Sequence, residues 1–202
     1  MKTFRIMAVT MAVATLVACD KKKEPQQPVV GNTEEKYIDA TSQTDWHYFS
    51  LTTGQIVGSG PEADNAIWGA RTDWDLAVRR YNVRTNSGAF TTVNALGGVH
   101  TFDAATTFAS VTRVPANAVF AADESITSQG MSGPTTVVRS QAQVVLVLPP
   151  AAGGSGMTYE ETPVYIFRTA DGSNYYKLKF TRYFNDGGTS GHVVFNMAKI
   201  ER

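Results

Sequence analysis

Two methionines in glycine-rich surroundings are the side chains of this sequence best suited to bind a ligand. The chain holds six methionines, and three lie beyond residue 18: Met131, Met157 and Met197. Met197 sits in an apolar run and reads as core filler. Met131 lies in Ser128-Gln129-Gly130-Met131-Ser132-Gly133-Pro134, and Met157 in Gly153-Gly154-Ser155-Gly156-Met157-Thr158. Thioether sulfur is a soft donor and suits a soft metal centre. Haem iron takes methionine sulfur as an axial ligand, and the axial pair tunes its potential. Two thioethers on two glycine loops could close on opposite faces of one flat ligand. The plainer alternative is a pair of adventitious surface methionines.

Other chemistry is thinly represented. His47, His100 and His192 are far apart, and none sits in HExxH or another close metal spacing. His47 reads as a strand residue, His100 as solvent-facing, and His192 as the start of the last strand. Each remains an alternative axial ligand. Asp73 and Asp75 flank Trp74 and could share a face, but no third ligand or general acid accompanies them. Glu160 and Glu161 are adjacent, so on a strand they point to opposite faces. GxSxG and GxxxxGK[ST] are absent. The expectation is a binding protein and not an enzyme. Lys+Arg and Asp+Glu are 18 each, which leaves no basic footprint for nucleic acid.

The single cysteine excludes a disulfide or a cysteine-based zinc site within the chain. Its position is informative. Residues 1–18 begin with Lys2 and Arg5 and continue as an apolar run too short to span a bilayer, ending Leu16-Val17-Ala18 before Cys19. This resembles a bacterial lipobox, in which Cys19 is lipidated and becomes the mature N-terminus. Cleavage would remove two basic residues and no acid, leaving a formal charge of −2. Residues 19–34 start Asp20-Lys21-Lys22-Lys23-Glu24-Pro25-Gln26-Gln27-Pro28, charged and without apolar periodicity. They read as a lipid-anchored tether.

The rest, residues 35–202, must position the methionine loops, and its signals are those of strands. Hydrophobic residues make up 43% of the chain and charged residues 18%, enough apolar material for a core. Trp46 to Leu51, then Thr52-Thr53-Gly54, then Gln55 to Val57 reads as a hairpin. Trp74 to Arg84 reads as one long strand. Val137 to Arg139 and Gln143 to Leu148 are β-prone. Val164 to Thr169 and Tyr175 to Phe184 flank a turn at Ala170-Asp171-Gly172-Ser173. Tyr176, Leu178 and Phe180 alternate with Lys177, Lys179 and Thr181, the pattern of a half-exposed antiparallel strand. Asp186-Gly187-Gly188 leads into a last strand, His192 to Ile200. Residues 85–136 are weakly patterned, with at most a helical turn at Ala104 to Ser110. The fold class expected is mainly β, a single antiparallel domain with long loops.

Thr72-Asp73-Trp74-Asp75-Leu76-Ala77-Val78-Arg79-Arg80-Tyr81-Asn82-Val83-Arg84-Thr85-Asn86-Ser87-Gly88 resembles the W-D-x-A-x-x-R-Y-x-V-R-x-N-x-G segment of the HmuY-like haem-binding lipoproteins. Tyr37 to Ala40 with Trp46 to Ser50, and Val164 to Arg168 with Lys177 to Thr181, match the family's opening strands and late hairpin in order. The resemblance implies an HmuY-like β fold and a haemophore that passes haem to a TonB-dependent outer-membrane transporter. It further implies an outer-membrane lipoprotein at the cell surface or released, with host haemoproteins as a haem source. The best-known member binds iron through two histidines. Here the corresponding loops carry Met131 and Met157, and part of the family is held to use a methionine pair. Two other functions fit the residues. One is a lipid-anchored adhesion or glycan-binding module using Trp68, Tyr159 or Tyr183. The other is an accessory subunit of a transporter.

Overall fold

Asp186, Gly187 and Gly188 reverse the chain between its two longest strands, which the structure describes as β12 (Tyr175–Phe184) and β13 (Ser190–Ile200). Gly188 has φ +77°, a left-handed turn conformation that glycine adopts without a Cβ clash. The computed structural model describes residues 29–130, 133–148 and 157–202. The leader 1–18, Cys19, most of the tether and Met131 lie outside the described residues.

β12 and β13 form the centre of a five-stranded antiparallel sheet. Its order is β1 (Glu34–Asp39), β13, β12, β11 (Tyr165–Arg168) and β6 (Gly98–Thr101). Just ahead of β1, the Gly31 N–H donates to the Lys199 carbonyl at 2.8 Å. A four-stranded antiparallel sheet has the order β3 (Gln55–Pro61), β2 (Asp45–Ser50), β4 (Leu76–Arg79) and β5 (Asn82–Thr85). Phe49, Leu76, Val78 and Val83 from the second sheet share one core with Ile38, Phe167, Leu178 and Phe195 from the first. Burial of these apolar faces between sheets is the main driving force for the fold. Among the described residues no helix is long and apolar enough to cross a membrane.

Each sheet also covers its outer face. Trp46, Tyr48 and Ala77 pack under Trp68 of the short helix α1 (Asn65–Gly69), together with Trp74 and Phe90. On the other side Val164, Ile166, Tyr175 and Ile200 pack against Val111 and Val114 from the long connection after β6. β12 is therefore not half-exposed along its length. Lys177 is buried and donates from Nζ to the Phe108 carbonyl at 2.9 Å. The connection that covers it is distant in sequence, so strand alternation by itself does not register the cover.

The expected long strand from Trp74 to Arg84 is instead the hairpin β4–β5. It turns at Arg80, a non-glycine residue at φ 54°. The strain is offset by tertiary bonds. The Arg80 guanidinium donates to the carbonyls of Thr41 at 3.0 Å and Ser190 at 3.1 Å, and also reaches the Ser190 hydroxyl. The segment 85–136 contributes β6 and two further strands, the second running on past its end, and Ala104 to Ser110 forms turns without a helix. The mainly antiparallel β architecture is as the sequence predicts.

Candidate ligand site at two hairpins

Two hairpins stand outside both sheets. The first pairs β7 (Glu124–Gly130) with β8 (Gly133–Arg139), in register from Glu124↔Arg139 to Gly130↔Gly133. Thr127 and Thr136 share a cross-strand hydroxyl bond at 2.7 Å. The second pairs β9 (Leu146–Leu148) with β10 (Thr158–Glu160). Residues 140–145 join them and lie along the outer edge of β5. The Ser140 N–H donates to the Val83 carbonyl at 2.9 Å and the Val144 N–H to the Tyr81 carbonyl at 3.0 Å. Both hairpins thus hang from one sheet edge.

Residues 84–88 hold the base of the first hairpin. Arg84 is fully buried and lies over the rings of Trp46 at 3.9 Å and Phe90 at 4.4 Å. Its Nε donates to the Val138 carbonyl at 2.8 Å, and one Nη to Asn65 Oδ1 at 2.9 Å. Burial lowers the Arg84 pKa, and the Tyr48 and Glu62 oxygens oppose that shift. Thr85 donates to the Asp123 carboxylate from its N–H at 3.0 Å and its hydroxyl at 2.6 Å. The Asp123 N–H donates to Ser87 Oγ at 3.0 Å. Burial drives the Asp123 carboxyl up to about 7, against the lowering effect of the Thr85 bonds and of Arg84 and Arg139. Asn86 Nδ2 donates to the carbonyls of Arg71 at 2.8 Å and Trp74 at 3.0 Å. Gly88 has φ +57°, and a Cβ there would collide with the Asp123 backbone. The R-x-N-x-G spacing is therefore a mount for the chain entering β7.

A cleft of about 270 Å³ opens beside the second hairpin, lined by Val144, Val145, Tyr159, Phe180, Arg182 and Tyr183 among others. Its volume is near the lower end for small-molecule sites, roughly 300–1,000 Å³. Tyr159 meets Phe184 edge-on at 5.0 Å and lies 5.9 Å from Tyr183. Met157 immediately precedes β10 and is 43% exposed. Met131 falls between the paired Gly130 and Gly133, outside the described residues. Met197 is buried in the core as expected.

None of the histidines belongs to either hairpin. His47 is half-buried in β2, where burial lowers its pKa. His100 Nδ1 lies 3.2 Å from the Val119 carbonyl oxygen. His192 is engaged on both nitrogens, by Tyr37 Oη at 2.8 Å and Asn185 Nδ2 at 3.2 Å. Among the described residues no three His, Cys, Asp or Glu side chains gather as a metal site. Asp73 and Asp75 separate: Asp73 pairs with Arg71 on the surface, and Asp75 is buried. Of the three aromatics named for stacking a glycan, Trp68 and Tyr183 are buried and Tyr159 is exposed. The anchoring roles of Arg84 and Asp123 are not apparent from local sequence, because their partners lie 19 to 54 positions away.

The fold has relatives among solved structures. One is the apo HmuY analogue of Tannerella forsythia, 24% identical, with TM-score 0.54, covering 86% of this chain and 99% of that one. A candidate HmuY-like haem-binding protein of Bacteroides vulgatus is 22% identical, with TM-score 0.55, covering 82% and 90%. A candidate lipoprotein of Bacteroides fragilis is 22% identical, with TM-score 0.56, covering 82% and 89%. No curated protein matches the chain. The family described as HmuY protein matches residues 42–197, which take in both hairpins, the four-stranded sheet and the five-stranded sheet apart from β1 and the end of β13, and the chain belongs to that family.

Proposed function

We propose that this chain is a haemophore, a lipid-anchored protein that captures haem for iron acquisition and hands it to a TonB-dependent outer-membrane transporter. Family membership supports haem as the ligand, as does the haem-binding description of the Bacteroides vulgatus relative. In this reading Met131 and Met157 are the axial ligands. The observation that carries it is that each adjoins a hairpin, and both hairpins hang from the edge of β5. Thioether ligation needs no deprotonation, so haem capture would persist in mild acid, where a histidine ligand competes with protons.

Export and anchoring belong to the same proposal. Residues 1–18 act as the signal, Cys19 takes the lipid, and the part of the tether ahead of Gly31, where the chain joins β13, gives the domain reach from the outer membrane. Several acyl chains on one N-terminus anchor stably where a single chain does not. Cys19→Ala should leave uncleaved precursor or protein released from the membrane fraction. Normal fractionation and an acylated mass for that variant would remove the anchor from the proposal.

The deciding experiment is a hemin titration of residues 19–202 carrying Cys19→Ser, in oxidised and dithionite-reduced buffer. A saturable Soret shift at one haem per chain is expected. No saturable change in either redox state would overturn the haem reading.

A further inference from the structure

At the far end of β12 from the hairpin cleft, three arginines surround a second cavity of about 370 Å³. Tyr175 begins β12 and lines this cavity, whereas its last five residues, Phe180 to Phe184, line the hairpin cleft, so the two hollows are roughly 17–30 Å apart along the strand. Arg168 comes from the end of β11, Arg113 from the long connection after β6, and Arg202 from just beyond β13. A backbone bridge between Arg113 and Glu201, with the Val114 N–H donating to the Glu201 carbonyl at 2.9 Å, brings the last two together. Phe120 and Tyr175 line the same cavity, 5.4 Å apart. The Arg168 guanidinium lies 5.1 Å from the Phe120 ring centre, and that of Arg202 lies 6.0 Å from Tyr175.

Among the described residues none of the three arginines forms an ion pair. Arg168 Nε is buried with no hydrogen-bond partner, and among the described residues the side chain's only bond is a long one, 3.4 Å, from Nη2 to the Gly97 carbonyl. A buried donor left unpaired is costly, and a charged acceptor would relieve that cost. A neighbouring hollow shares Tyr175 and Arg202 and adds Ser173, Asn174 and Lys199. Glu201 is the one side-chain carboxylate among the residues lining it.

We infer that this pocket binds a tetrahedral oxyanion ester on a sugar-sized body, a phosphorylated or sulfated saccharide. The ester oxygens take Arg113, Arg168 and Arg202, since guanidinium groups match such oxygens in bidentate fashion. The cavity exceeds what one free ion fills, and in the adjoining hollow Lys199 and the Asn174 amide suit sugar hydroxyls, while Ser173 Oγ already donates to Asp171 at 2.6 Å. The inference is independent of the haem proposal, because the pocket shares no residue with the hairpin cleft.

The test is calorimetry on residues 19–202 carrying Cys19→Ser, the form proposed to remain after export. The probes are glucose 6-phosphate, glucosamine 6-sulfate, inorganic phosphate, inorganic sulfate and glucose. At least one ester should bind saturably and more tightly than its free ion, and glucose should not bind; which ester wins identifies the source. Arg168→Gln should weaken ester binding about 10- to 100-fold, the equivalent of a lost charged hydrogen bond. Arg202→Gln, at an exposed position where folding is not at issue, should weaken it in the same direction. Hemin affinity should be unchanged in both variants. No saturable ester binding, equal affinity for the free ions, or loss of hemin binding in Arg168→Gln would each overturn the inference.

Discussion

The carboxylate of Asp75 accepts the backbone N–H of Ala170, 95 positions later in the chain, at 2.8 Å. Its other oxygen accepts the Leu51 N–H, also at 2.8 Å. One side chain thereby fastens the end of β2 to the turn between β11 and β12, joining the two sheets. Asp75→Ala leaves two buried N–H groups unpaired, each costing about 1–3 kcal/mol. Urea denaturation should show a loss in that range or above. Unchanged stability would mean that water replaces the carboxylate freely.

Trp74 has no exposed surface. It meets Tyr48 edge-on at 4.9 Å and Phe90 at 5.5 Å, and its Nε1 donates to the Trp68 carbonyl at 3.0 Å. Trp74→Ala should cost about 3–5 kcal/mol. Thermal melting is the readout, and a variant with the parent's melting curve would place this tryptophan outside the core energetics. Tyr81, half-buried against the core, should cost less on truncation.

The raised pKa of Asp123 makes stability depend on pH in a definite direction. The unfolded carboxyl titrates near 3.9, whereas the folded one titrates at about 7. The folded state therefore holds the proton more tightly between these values. The contribution of Asp123 is full below about 4 and is lost as pH rises through about 7. Asp75 is raised in the same sense by burial. Asp171, held down at about 2 by Ser173 and Thr169, acts only at lower pH. Denaturation from pH 4.5 to 8 should show a shallower fall with rising pH in Asp123→Asn than in the parent. Equal slopes would assign the pH dependence to other groups.

The methionine pair is tested by spectra. Thioether sulfur is a weaker ligand than imidazole for ferric iron, so reduction should raise haem affinity. Met131→Ala or Met157→Ala should weaken ferrous binding, and the double variant should lose the six-coordinate ferrous spectrum. Replacement of His47, His100 or His192 should leave that spectrum in place. A histidine variant that abolishes binding, or a double methionine variant with the parent's spectrum, would transfer the ligand role elsewhere.

Local sequence was enough to determine the class of fold and most of its strands. Alternation through Tyr176, Leu178 and Phe180, and the turn signals at Ala170-Asp171-Gly172-Ser173 and Asp186-Gly187-Gly188, act over a few residues. These correspond to β11, β12 and β13. The methionines in glycine loops could likewise be singled out by type and spacing. The tertiary structure decided where long-range partners override those patterns. Arg80 turns the chain at positive φ because Thr41 and Ser190 hold its guanidinium, which splits one apparent strand into β4 and β5. β7 has a polar, weakly patterned sequence, yet it pairs with β8 because Asp123 is fixed by Thr85 and Ser87. Arg113, Arg168 and Arg202 look like scattered surface cations in sequence, and only the packing of the β6 connection against β13 gathers them around one cavity. Periodicity reports which face of a strand is apolar; it carries no information on which distant segment supplies a hydrogen bond or a charge.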